Sequence, residues 1–144
     1  MKIKVITAAN MWQIYDDVIP ELEALSAVTR LFIKRNMKKL YDISDDYFCV
    51  ISEMEAAIAQ KYEDKSELID PEKDERKVKP EYMSEYRKDR EELVAKLNEM
   101  GNVEEEVELK VFDLEKELRD LDEKGVSISD KAIEFLSLFD EVNS

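Results

Sequence analysis

Chemistry in this chain would have to come from carboxylates, because its 144 residues include 36 Asp and Glu, one cysteine and no histidine. Asp42, Asp45 and Asp46 form one group at helical spacing, and Asp113, Glu117 and Asp120 form another; together they could be imagined as a general acid and base. Nothing in either neighbourhood separates their ionisation, so solvated helix faces are expected. Asp70, Glu72, Asp74 and Glu81 reproduce positions 1, 3, 5 and 12 of a calcium-binding loop. Such a loop bends sharply at a glycine, where this chain has Glu75; Pro71 and Arg76 also break the pattern. A charged loop is the expectation there.

The absence of histidine excludes histidine triads, histidine-rich zinc sites and imidazole proton relays. Cys49 has Asp45, Asp46 and Glu53 near it at helical spacing, surroundings that disfavour a reactive thiolate. It is read as a packing residue. Gly101 and Gly125 stand alone, so no glycine-rich phosphate loop can form. The reading is a non-enzyme without cofactor or metal.

Charge points instead to binding. The net charge is −14, and eleven acids against three bases concentrate −8 of it in 99–123. A surface this acidic repels nucleic-acid backbone and favours basic partners, so no direct nucleic-acid binding is expected. The run Glu104, Glu105, Glu106 and Glu108 is its densest part. Against the trend, Arg30, Lys34 and Lys38 share one helix face at i, i+4 and i+8, with Arg35 and Lys39 beside them. These two clusters are the candidate partner-binding residues.

The elements that must position them are mainly helical, with a small β component. A composition of 44% hydrophobic and 40% charged residues, with 2 Gly and 3 Pro, suits one helical domain over 1–144 better than turn-rich β architecture. Lys2–Ile6 alternates like a short strand, and 106–112, with Val107, Leu109 and Val111 on one face, is its expected partner in a two-stranded antiparallel or mixed ribbon. A first helix is expected from a cap at Thr7 or Asn10 to about Leu25. Pro20 should kink it or divide it in two.

The spine is a long helix over about 27–63. Ile33, Met37, Leu40, Ser44, Tyr47, Ile51, Met54 and Ile58 repeat at heptad spacing, widened by Ile43, Val50 and Ala57. A helix at 81–100 returns antiparallel but, at about 30 Å against about 55 Å, cannot cover it. The flanking helices, or a second copy in a homo-oligomer, must shelter the remainder. The charged insert 65–80 is either a small hairpin or a mobile segment. Helices over 113–124, ended by Gly125, and from a Ser129 cap to about 142 complete the chain.

A single cysteine forms no internal disulfide, no stretch has the roughly 18 apolar residues of a membrane span, and the opening residues lack a signal-peptide pattern. A cytoplasmic protein without membrane association is expected.

The order of segments resembles a family of small phage and prophage proteins of unknown function, mostly from phages of Gram-positive bacteria. The segments are Lys2-Ile3-Lys4-Val5-Ile6, Lys38-Lys39-Leu40, Ile58-Ala59-Gln60-Lys61-Tyr62 before an acidic insert, Glu91-Glu92-Leu93, Val107-Glu108-Leu109, Ile128-Ser129-Asp130 and Phe135-Leu136. The chain departs from the family in its extra charged segment around 115–124 and in a 65–80 insert without glycine. The resemblance implies a phage-encoded protein with no known active site and transfers no functional residue. The expected function is protein–protein interaction or assembly with a phage or host protein. The alternative is an acidic nucleic-acid mimic that inhibits a host nuclease or defence protein.

Overall fold

The computed structural model describes residues 1–70, 72–73 and 75–143, with side chains described through residue 140. Its elements are β1 (Lys2–Lys4), α1 (Val5–Leu22), α2 (Ala27–Lys61), β2 (Ser66–Asp70), β3 (Glu75–Val78), α3 (Met83–Gly101), β4 (Glu104–Glu106), α4 (Leu114–Glu123) and α5 (Asp130–Asn143). The fold is mainly α with two small antiparallel β ribbons. It divides into two compact units, Met1–Tyr47 with Gly101–Ser144, and Phe48–Met100; α2 is a single helix whose residues belong to both.

In the first unit, β1 pairs with β4, setting Lys2 opposite Glu106, Ile3 opposite Glu105 and Lys4 opposite Glu104. The partner strand therefore overlaps the expected 106–112 only at Glu106. The reason is in the local hydrogen bonding. Beyond β4 the chain stays extended but finds a side chain rather than a strand: the Lys110 N–H donates to Asn36 Oδ1 (2.7 Å), and Asn36 Nδ2 donates to the Lys110 carbonyl (3.0 Å). Val107 and Leu109 face the core, but the alternation then breaks, leaving Val111 65% exposed and turning Phe112 onto Phe139.

The first helix starts at Val5, earlier than Thr7 or Asn10, and has no side-chain cap. The Val5 N–H donates to the Val103 carbonyl (3.0 Å), so the ribbon satisfies a donor that a cap would otherwise take. This early start buries Val5, Ala8, Ala9 and Met11 as well as Val18 and Leu22. The helix also runs through Pro20 as one element. Pro20 lies in the last turn on the exposed side, and the carbonyl of exposed Asp16, which loses its donor there, is open to water.

The core of this unit joins Ile3, Met11 and Val18 to Ile33, Met37 and Leu40 of α2 and to Phe135, Leu136 and Phe139 of α5. Thus α1 and α5 shelter the first half of the spine. All the fully buried residues of α2 lie at or before Tyr47. The expected stop and cap near the end of the chain are in place, with Gly125 at φ 69° and Ser129 Oγ accepting from the Ala132 N–H, and Asp113, read from spacing only as one of a carboxylate group, caps α4 through the Lys116 N–H.

In the second unit, the end of α2 and α3 form an antiparallel helical hairpin. Glu55 meets Arg90, Lys61 meets Asp89 and Glu85, and Tyr62 packs edge-on against Tyr86. The core here is thin: Tyr62 and Leu93 are buried, while Ile51, Met54 and Ile58 are half-buried. Of the residues expected to widen the stripe, Val50 and Ala57 are exposed and Ile43 is half-buried. The insert forms the β2–β3 hairpin, closed at its base by Lys79 N–H to Lys65 carbonyl (2.9 Å) and bulged between Leu68 and Asp70. Pro71 and Asp74 of the calcium-like spacing lie outside the described residues; Asp70 sits in β2, and its carboxylate accepts from the Glu72 N–H in a turn. No described helix is long and apolar enough to cross a membrane.

Candidate partner-binding site

The turn between α1 and α2 is built around Ser26. Its carbonyl accepts the first helical bond from the Arg30 N–H, and its Oγ accepts from the Thr29 N–H, making it the N-cap of α2. A capping box would place Glu or Gln at position 29, where this chain has threonine. Glu117, buried on α4, supplies that carboxylate from elsewhere in the unit: it accepts from the Ser26 N–H (3.1 Å), the Ser26 hydroxyl and the Thr29 hydroxyl. Burial pushes the Glu117 carboxyl up, and the hydrogen bonds from Ser26 and Thr29 together outweigh it, holding the group below its ordinary value.

With the turn fixed in this way, the end of α1 and the start of α2 enclose an open groove of about 340 Å³. Tyr15, Ile19 and Leu22 line it from α1, and Ala27, Leu31 and Ile33 from α2. Ile19 is 41% and Leu31 45% exposed. Tyr15 is set by stacking on Phe135 and by the edge of Trp12, and its phenol is raised by burial and then by Asp16, so it stays neutral.

Arg30 and Lys34, two of the three basic residues singled out by spacing, contribute cations to this lining, with Glu23 the acid among them. Lys38 lies on the exposed surface of α2 outside the groove. The acidic candidates lie elsewhere. Glu104, Glu105 and Glu106 form β4, exposed, with Lys4 and Lys2 directly opposite Glu104 and Glu106. The Met1 ammonium also donates to Glu106 (3.2 Å), and the Glu108 carbonyl accepts from Lys39. Cross-strand lysines thus offset part of the negative field that a nucleic-acid mimic would need.

The imagined carboxylate pair has no catalytic arrangement. Asp113 is a helix cap, Glu117 is turned to Ser26 and Thr29, and Asp42, Asp45 and Asp46 are exposed. Cys49, expected to pack, is exposed, because the buried line through Tyr47 and Ile51 runs along another face of α2. Among the described residues no group of three or more acids or cysteines is placed to hold a metal.

The second unit carries a polar network that sequence spacing did not suggest. Lys61 donates to Asp89 (2.7 Å) and pairs with Glu85 (3.1 Å), and the Tyr62 hydroxyl donates to Asp89 (2.6 Å). Hydrogen bonds from Lys61 and then Tyr62 lower Asp89, the bond from Lys61 lowers Glu85, and Asp89 raises Lys61. Burial, then Asp89, pushes Tyr62 up to about 12. Each of these groups is shifted to titrate further from pH 7, the reverse of what acid–base catalysis near that pH uses.

Comparison with models of known protein families, with curated proteins and with solved structures returned no match. The resemblance to phage proteins therefore rests on the order of sequence segments alone, and the α1–α2 groove stands on its own geometry. Ile33 of its lining lies on the heptad line of the core, whereas Ile19 and Leu31 lie off it and are not marked by spacing.

Proposed function

We propose that this chain is a non-enzymatic protein–protein interaction module whose docking site is the α1–α2 groove. The observation that carries the reading is the groove itself: Ile19 and Leu31 half-exposed over an apolar lining, with Arg30 and Lys34 beside them on an otherwise acidic molecule. An apolar floor with cationic sides suits an amphipathic helix whose hydrophobic anchors are flanked by acids. In the phage setting that the segment order suggests, the occupant is part of a phage or host protein used in assembly or in control of the host.

A displayed library of random peptides of about 16 residues, long enough for four helical turns, tests this. Selection on the full chain should enrich apolar residues at i and i+4 with Asp or Glu between them, and the enriched peptides should not bind a folded Ile19→Asp variant. Enrichment of basic peptides, undiminished binding to Ile19→Asp, or no enrichment would each overturn it.

A further inference from the structure

The long helix carries a second heptad line, distinct from the buried one. Leu31, Arg35, Lys38, Asp42, Asp45 and Cys49 step 4-3-4-3-4 along α2, and all six are exposed. Along this line an apolar residue is followed by two cations, two anions and a small thiol. Turned end for end, the same line presents its anions where the original has cations.

We propose that this face pairs with a second copy of the chain, antiparallel, about a two-fold axis level with Leu40 along the helix but on the side away from the core. That axis sets Lys38 opposite Asp42 of the second copy, Arg35 opposite Asp45 and Leu31 opposite Cys49. The alternating steps of three and four place each residue in a layer with its counterpart, as antiparallel coiled coils require. Symmetry repeats every pair, so a self-complementary patch closes as a dimer rather than a filament. A parallel arrangement would set like charge on like charge and is disfavoured by the same residues. Lys39, the neighbouring cation off this line, is already committed to the Glu108 carbonyl. The pairs are solvent-exposed and the molecule carries −14, so the association is weak and screened by salt.

Leu31 belongs to both the groove and this face, but the charge pairs that test the proposal do not, since Arg35, Lys38, Asp42 and Asp45 do not line the groove. Sedimentation equilibrium on the full chain should show a concentration-dependent dimer at about 20 mM NaCl whose dissociation constant rises at least about tenfold near 500 mM. Lys38→Asp alone and Asp42→Lys alone should each weaken the dimer by about tenfold, and the double swap within one chain should restore it to within about threefold. Arg35→Asp with Asp45→Arg provides the same test at a second layer, with circular dichroism confirming that each variant is folded. A monomer throughout the range at low salt, a dimer indifferent to the single reversals, or a folded double swap that fails to recover would each overturn the proposal.

Discussion

Asn36, fully buried on α2, holds both polar groups of Lys110: its side-chain oxygen accepts the Lys110 N–H at 2.7 Å, and its amide donates to the Lys110 carbonyl at 3.0 Å. One side chain thus does for the segment after β4 what a neighbouring strand would do. Asn36→Leu leaves two backbone groups without those partners beside an apolar core, at a cost of about 2–4 kcal/mol. Urea denaturation should show a lower midpoint with little change in slope; an unchanged midpoint would mean that water replaces the amide without loss.

Glu117 gives a pH dependence of definite sign. Its carboxyl lies below its ordinary value in the folded chain, so its contribution is present above the unfolded value and fades as pH falls through the lower folded value. Glu117→Gln should cost about 1–3 kcal/mol at pH 7. The difference from the parent chain should narrow in acid, below the ordinary carboxylate range. A gap that stays constant from pH 7 to pH 3 would contradict the hydrogen-bonded carboxylate described above.

Tyr62 works in the opposite direction. With its phenol pushed up to about 12, the neutral form is favoured by folding; that stability is present below the ordinary tyrosine value and is lost as pH rises through the folded one. Of the six tyrosines, Tyr62 should ionise late in an absorbance titration, and Tyr62→Phe should remove that late phase. A titration in which the variant and parent curves differ near pH 10 instead would place Tyr62 in water.

Gly125 separates conformation from packing. Its φ is 69° and no atom lies within 4 Å of an added Cβ, so Gly125→Ala costs only backbone strain, about 1–2 kcal/mol. Gly125→Asn should recover part of that, since asparagine tolerates this region. Equal stability of all three in thermal melts would show that the turn after α4 relaxes.

The helices were legible because their apolar spacing, capping residues and stops agree: Ile33 to Tyr47, Gly125 and Ser129 all lie where their residue types place them. Tertiary partners were not. β4 was expected too late because Val107, Leu109 and Val111 alternate like a strand, while Asn36 takes the backbone groups of Lys110 that a ladder would use. The start of α1 was hidden because the Val103 carbonyl, rather than a side chain, receives its first donor. At the candidate site, Arg30 and Lys34 were visible as a basic face, but their apolar neighbours come from two helices. Glu117 looked like surface acid because the residues it caps are 91 and 88 positions away.

Chemical-shift mapping of the full chain against an acidic amphipathic peptide with leucines at i and i+4 tests the docking groove most directly. The account predicts saturable shifts concentrated at Tyr15, Ile19, Leu22, Arg30, Leu31 and Lys34, and their loss in Ile19→Asp. Shifts centred on another surface, or none up to millimolar peptide, would contradict it.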